Sequence, residues 1–289
     1  MKISCLILPI HPWREAAEVW RRAEQLGFHA AYTYDHLAFE GFADGPWYGA
    51  VPTLAAAATA TEKLRLGTMI TSPNFRHPAL LAKDLMTLDE ISGGRITAGI
   101  GAGSSGLDAS ALGHTPWPAS ERSSRFAEFV TLLDLLLTQP STTFRGEYYS
   151  ADDIRMIPGC RQQPRVPFTI AASGPRGMRV AAEHGDGWVT CPFGDDAKAV
   201  APLIDSQLRA LAKTCAESGR DASAMERTYL SGFTPENPLA SVAAFTEIAG
   251  HYTELGITEL IVHWPEPGTA FDNDPALFER IATEAIPVR

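Results

Sequence analysis

The sequence predicts an α/β protein of the (β/α)8 barrel class, on three observations. Apolar strand-like runs alternate with amphipathic helical segments along the 289 residues, and they count to eight strand–helix units. Three helical segments end in a glutamate-containing turn and a glycine before the next strand, at residues 24–27, 183–185 and 254–256. A doubly wound sheet would place a glycine-rich turn after the first strand, whereas a Pro-Ile-His-Pro turn follows it here. One barrel domain over residues 1–289 is expected, with insertions after the fourth strand and before the fifth.

The stretch from Leu64 to Ser104 predicts the parallel pairing of the sheet. Leu64–Ile70 is typical of a strand, residues 78–91 of an amphipathic helix stopped by Gly93, and Arg95–Ile100 of a second strand. A strand, a helix and a strand joined by short turns form a βαβ unit. Such a unit requires parallel strands and a right-handed crossover.

The remaining segments continue the alternation on both sides of this unit. The predicted elements are a strand over Ile3–Leu8, a helix from about Arg14, a strand over Ala30–Tyr34, an alanine-rich helix over 46–61, a helix over Glu121–Leu137, a strand over Phe168–Ala172, a helix to His184, a strand over Gly187–Cys191, a helix within 195–217, a strand within 227–231, a helix within 239–255, a strand within 258–263 and a helix from about Pro275. Residues 102–120 are rich in glycine, serine and proline and predict an irregular loop. Phe144–Tyr149 predicts a small hairpin inside the insertion.

The composition indicates a soluble intracellular protein. A net charge of -10 and a pI near 5.3 argue against a nucleic-acid or membrane-surface partner. No apolar window has the length of a membrane span, and no secretory leader is evident. The four cysteines lack metal-site or disulfide spacing, which is typical of reduced thiols in a cytoplasm. A cytoplasmic location is therefore expected.

A barrel enzyme carries its active site at the carboxyl ends of the strands. The residues predicted there are His11, Trp13, Asp35, His36, Thr71, Ser72, Gly101–Ser105, Ser173, Gly174, Cys191, Pro192, Ser231, His263 and Trp264. This set contains no His-x-His pair, no lysine and no pair of carboxylates, which disfavours a metal-dependent hydrolase, a Schiff-base aldolase and a retaining glycosidase. We expect no metal site. Histidine, tryptophan and glycine-rich loops suit a bound organic cofactor better.

The turn from Ala172 to Gly177 has the features of an anion site. Its glycines allow close backbone approach, Pro175 suits the first position of a helix, and the exposed amides of that first turn bind anions. Arg176 adds the option of a bidentate phosphate contact. The alternative is that Ser173 only caps the following helix.

Asp35 and His36 are the pair of candidate catalytic residues that the sequence supports best. A histidine satisfied by a backbone carbonyl is the structural alternative. The position at a strand end, beside the aromatic residues Tyr34 and Trp47, favours a functional role for His36. For His263 two interpretations remain, a role in the site and packing at the barrel mouth.

These motifs resemble the bacterial luciferase-like flavin and deazaflavin oxidoreductase superfamily. The resemblance covers about residues 1–265. The strings that carry it are GTMITSPNFRHP at 67–78, DEISGGR at 89–95, the glycines of 99–103, YTYDHL at 32–37 and FTIAASGPRG at 168–177.

The resemblance implies that FMN or the deazaflavin F420 lies at the barrel mouth, with its phosphate on Ser173, Gly174 and Arg176. The cofactor-binding positions that it implies are Asp35, Met69, Ile70, Thr71, Ser72, Gly101, Ala102, Ala172, Ser173, Gly174, Pro175 and Arg176. In the F420 branch it further implies that His36 handles a proton, that Asp35 orients His36 or contacts the ring, and that a cis peptide bulge at Met69–Ile70 supports the ring. The Asp35-His36 pair and the turn at 170–177 favour this branch over FMN.

Two departures from the sugar-phosphate dehydrogenases of that branch bear on the substrate. Those enzymes place a glutamate in the loop after the fourth strand, where this chain has Gly101–Gly106, and they hold the substrate phosphate with lysines. No lysine closely follows Cys191 here, which disfavours glucose 6-phosphate. A neutral or hydrophobic substrate is expected instead, met by Trp13, Trp47, Trp117 and His263.

The sequence leaves open two other functions and the formation of a homodimer. The chain could be an FMN-dependent monooxygenase served by a separate flavin reductase, or a barrel that binds a flavin without turnover. Dimers are common in the family, and the helices at 50–60 and 78–91 are the interface that the resemblance implies for a homodimer.

Overall fold

Eight parallel strands close into a barrel in the computed structural model, which describes residues 1–39, 41–104 and 106–286. The elements are β1 (Lys2–Leu6), α1 (Trp13–Gln25), β2 (Ala30–Thr33), α2 (Ala50–Ala60), β3 (Arg65–Thr71), α3 (Pro78–Ser92), β4 (Ile96–Gly101), α4 (Leu107–Ala111), α5 (Ala119–Thr138), β5 (Thr142–Arg145), β6 (Ser150–Ile154), β7 (Phe168–Ala171), α6 (Pro175–His184), β8 (Gly187–Thr190), α7 (Ala197–Glu217), β9 (Glu226–Leu230), α8 (Val242–Leu255), β10 (Glu259–His263) and α9 (Pro275–Ala285). The strand order is β1-β10-β9-β8-β7-β4-β3-β2, and β5 pairs with β6 as a separate antiparallel hairpin. The predicted fold class is confirmed.

Alternate residues of each barrel strand face the two sides of the sheet. Along β10, Leu260 and Val262 join the large apolar cluster between barrel and helices, whereas Ile261 joins a smaller cluster inside the barrel. A polar layer follows towards the amino ends of the strands, where buried Glu259 accepts hydrogen bonds from Ser4 at 2.5 Å and Thr228 at 3.0 Å. Side chains therefore fill the barrel interior below the carboxyl-end mouth.

The prediction of an irregular loop over 102–120 is wrong at one place, because α4 occupies Leu107–Ala111. Its first turn is held by a tertiary contact, since the Asp108 carboxylate accepts the backbone N–H groups of Leu37 and Ala38. Such contacts override a composition that favours a loop. Other predicted boundaries differ by a few residues. For example, α8 begins at Val242 because the Ser241 hydroxyl caps it through the N–H of Ala244.

No helix in the described part of the chain has the length and apolar character that a membrane crossing requires.

Candidate active site at the mouth of the barrel

The cis peptide bond that the resemblance implies is present between Met69 and Ile70. It lies near the carboxyl end of β3, where the pairing register with β4 shifts between Thr68 and Thr71. Met69 is buried inside the barrel and Ile70 is half-buried at its mouth. A Cβ atom on Gly101 would lie only 2.0 Å from the Ile70 Cδ1 atom, so glycine at this position leaves room for the Ile70 side chain.

Two buried polar atoms near the bulge have no hydrogen-bond partner among the described residues. They are Thr71 Oγ1 and Asn74 Oδ1. The other side of the Asn74 amide donates to the carbonyl of Ser104 at 2.9 Å. Leaving a buried polar atom unsatisfied costs about 1–3 kcal/mol, so a bound group with donors and acceptors fits this position. The edge of a flavin or deazaflavin ring has such groups.

Asp35 is buried and forms a bidentate ion pair with Arg76, across the loops after β2 and β3. Arg76 Nε donates to Oδ2 at 3.0 Å and Nη2 donates to Oδ1 at 2.6 Å. Burial is the largest single effect on the pKa of Arg76 and lowers it, but the hydrogen bond and charge of Asp35, with the charges of Asp84 and Asp108, raise this pKa overall. The expectation that Asp35 orients His36 is corrected, since both of its oxygens are taken by Arg76. Contact with a cofactor ring stays a prediction for Asp35.

His36 is held instead by Asp108 of α4. The Nδ1 atom of His36 lies in hydrogen-bond contact with Asp108 Oδ2. The histidine side chain is 25% exposed and the aspartate side chain 6%, so the pair sits at the edge between the interior and the mouth. A carboxylate on Nδ1 is the arrangement that fixes the tautomer of a histidine in proton transfer.

Aromatic rings pack around His36 and form one wall of the mouth. Phe39 stacks on Trp47 with centroids 5.4 Å apart and on Tyr34 with centroids 5.1 Å apart. The Trp47 indole also donates to the carbonyl oxygen of His36 at 3.0 Å. Trp47 is therefore next to the catalytic candidate, as predicted from the sequence.

His263 is a buried residue at the carboxyl end of β10 and contacts Tyr34. Its Nε2 atom lies 2.7 Å from the Tyr34 hydroxyl, and its ring stacks on Phe271 with centroids 3.7 Å apart. Burial lowers the pKa of His263 from 6.5 to about 3, against a smaller opposing effect of the Ser231 carbonyl. His263 is therefore neutral at physiological pH and serves as a hydrogen-bonding and packing group.

We expect acid to destabilise the protein through His263. The folded-state pKa lies below that of the unfolded chain, so the stabilising contribution is complete above pH 6.5 and is lost as the pH falls towards 3. The slope for one such group is about 1.4 kcal/mol per pH unit. Urea unfolding of wild type and His263→Gln between pH 7 and pH 5 measures it, because the common acid effects cancel in the difference. A difference independent of pH would contradict the prediction.

The turn after β7 presents an open helix terminus at the rim of the mouth. Gly174 is the N-cap of the ten-residue helix α6, and no side chain caps it. The alternative reading, in which Ser173 only caps the helix, is therefore wrong. Ser173 to Arg176 are exposed, and the Arg176 guanidinium donates to the carbonyl of Ser120 at 3.3 Å. This geometry leaves the first-turn amides available for an anion.

The other predicted site residues lie around these groups. Ser72 and Gly101 are buried, Ala102 and Ala172 are half-buried, and Pro175 opens α6. Trp13 begins α1 and is 37% exposed, while Trp117 packs against the Arg125 guanidinium at 4.2 Å. Trp47 makes ring contacts with Tyr34 and His36. Among the described residues, neither Trp13 nor Trp117 makes such a contact with Tyr34 or His36. Ser105, predicted in the same mouth, lies outside the described residues.

Sequence reasoning missed two residues, Arg76 and Asp108. Arg76 lies in the RHP string. The only sequence signal for its buried partner was Asp35, the acidic residue that follows the neighbouring strand β2. Asp108 lies in the stretch predicted to be irregular, and no spacing in the sequence links it to His36. Within the described ranges, no three His, Cys, Asp or Glu side chains form a cluster that could hold a metal ion.

Comparisons with known proteins agree on one family. The model of the luciferase-like monooxygenase family matches residues 2–245. The F420-dependent glucose-6-phosphate dehydrogenase of Beutenbergia cavernae is 38% identical over 200 residues, which are 68% of this chain and 57% of that protein. The protein of the same name from Intrasporangium calvum is 36% identical over 70% of this chain and 61% of its own length. The match thus spans less than two thirds of these relatives.

A solved structure has the same fold at lower identity. The F420-dependent secondary alcohol dehydrogenase in complex with an F420-acetone adduct superimposes with a TM-score of 0.80 over 98% of both chains, at 20% identity. The likeness supports the barrel and its closure by eight strands.

Proposed function

Because the chain belongs to the luciferase-like monooxygenase family, we propose that it is an oxidoreductase that transfers a hydride between coenzyme F420 and a small organic substrate. The observation that carries the proposal is the His36–Asp108 pair at the barrel mouth, on the wall next to the open carboxyl end. A histidine held in this way handles protons, and redox reactions of organic substrates by hydride transfer also require a proton to move. F420 rather than FMN also appears in the names of both curated relatives.

The residues at the mouth fit a deazaflavin cofactor. Ser173, Gly174 and Arg176 would hold its phosphate at the start of α6. The half-buried Ile70 would support the ring, and the unpartnered Thr71 Oγ1 and Asn74 Oδ1 atoms would find partners on its polar edge. When bound, F420 supplies the two-electron chemistry by accepting or donating a hydride.

The substrate that the mouth supports best is neutral or hydrophobic. Phe39 and Trp47 line one wall, and large apolar side chains are exposed at the same end of the barrel, on the segments that follow β2, β4 and β8, namely Leu37, Leu107, Leu112 and Phe193.

Cofactor binding tests the function directly. We expect fluorescence titration of the cofactor-free protein to give a dissociation constant for F420 at least about tenfold below that for FMN, a difference of about 1.4 kcal/mol. Arg176→Ala is expected to weaken F420 binding and to leave binding of the phosphate-free deazaflavin ring unchanged. Tighter binding of FMN would favour a monooxygenase that works with a separate flavin reductase, and binding of neither cofactor would overturn the proposal.

A further inference from the structure

We propose that Asp108 is the positioning residue of the reaction, holding His36 with its proton on Nδ1 and its Nε2 atom available to the substrate. The inference rests on the proposed function, because it assigns a role within the same proton transfer. It also makes a statement about the protein without cofactor, namely which nitrogen of His36 carries the proton.

Both oxygens of Asp108 are committed to the segment that carries His36. One oxygen contacts His36 Nδ1. The other accepts the N–H groups of Leu37 at 2.7 Å and Ala38 at 3.3 Å. A single side chain from α4 therefore fixes both the histidine ring and the backbone that follows it.

The chemistry of the carboxylate decides the tautomer. An ionised carboxylate only accepts hydrogen bonds, so its contact with a neutral imidazole requires the proton on Nδ1. The Nε2 atom then carries the lone pair, and it makes no hydrogen bond within the described part of the chain. Two-electron oxidation of a substrate releases a proton besides the hydride, and Nε2 accepts that proton. The imidazolium that forms is stabilised by the negative charge of Asp108.

Asp35 makes no hydrogen bond to His36 in the described part of the chain. Its two oxygens accept hydrogen bonds at 2.6 and 3.0 Å from Arg76, which leaves its charge compensated. The two carboxylates near the mouth thus have separate partners. Asp35 holds the loop after β3 through Arg76, and Asp108 holds the histidine.

The first test is the tautomer itself, read from nitrogen-15 spectra of the cofactor-free protein. We expect the neutral imidazole of His36 to carry its proton on Nδ1. Asp108→Asn is expected to move the population towards the Nε2-protonated form, as in a free imidazole. The His36→Gln variant assigns the signal. His184, whose Nδ1 atom lies 3.2 Å from Asp134, is an internal control that Asp108→Asn leaves unchanged.

The second test separates positioning from binding. We expect Asp108→Asn to lower kcat by about tenfold or more while the dissociation constant for F420 stays within about twofold. Asp134→Asn removes the charge of a carboxylate that pairs with His184 and Arg165 outside the mouth, and it is expected to leave the His36 tautomer unaltered. An Nε2-protonated His36 in wild type would overturn the inference even if no variant folded, as would an Asp108→Asn variant with wild-type kcat. A wild type that binds no F420 but shows His36 protonated on Nδ1 would instead refute the proposed function alone.

Discussion

Replacement of His36 by glutamine is expected to lower kcat by about 10²- to 10⁴-fold, the range that a positioned acid or base contributes, while F420 affinity stays within about twofold of wild type. Glutamine keeps a polar side chain of similar length but cannot take up a proton at neutral pH. The aromatic wall and the phosphate turn stay in place, since the backbone carbonyl of His36 still accepts from Trp47. The loss should therefore fall on the chemical step.

Steady-state kinetics with reduced or oxidised F420 and a panel of neutral alcohols and carbonyl compounds measures this effect. His251→Gln, an exposed change on α8, is the matched control and should retain wild-type kcat. A His36→Gln enzyme with undiminished kcat would remove His36 from the mechanism. A rise in the F420 dissociation constant with unchanged kcat would make His36 a binding residue instead.

The barrel was predictable because its signals are local and repeat. Apolar runs such as Ile3–Leu8 and helix ends with glycine occur in every part of the chain, so a boundary error of one or two residues changes nothing in the topology. The mouth was predictable for the same reason, since the end of each strand marks a site position. His36 and the turn at Ser173 both lie in the mouth that this rule defines.

The partners of the site residues were not predictable in this way. Asp35 and His36 are adjacent in sequence, which suggested that one orients the other, but neighbours at the end of a strand point in different directions. Their true partners, Arg76 and Asp108, are 41 and 72 residues away and come from the loop after β3 and from α4. Pairings of this kind are set by the register and curvature of the barrel, which no short motif encodes.

The ion pair of Asp35 and Arg76 has the largest expected effect on stability. We expect Asp35→Ala to lower the free energy of unfolding by about 3–5 kcal/mol, because it leaves a partly buried guanidinium with only the more exposed carboxylate of Asp84, 4.0 Å away, as an ionic partner. Arg76 is 22% exposed and Asp35 only 2%, so water cannot fully replace the lost partner. Replacing both residues, as in Asp35→Ala with Arg76→Met, should cost much less than the sum of the two single changes, since neither charge of the pair is then left without the other.

Urea unfolding of the four proteins in this double-mutant cycle measures the coupling. The bidentate pair of Arg22 and Glu279 is a matched control, with both hydrogen bonds at 2.8 Å but with side chains 37% and 45% exposed. Glu279→Ala should therefore have a far smaller effect, because solvent screens both charges. If Asp35→Ala were as mild as Glu279→Ala, the pair would be solvated at the mouth, and Asp35 would then be free to bind the cofactor ring. A severe loss that the second replacement relieves would assign Asp35 to the support of the loop after β3, with proton transfer left to His36 and Asp108.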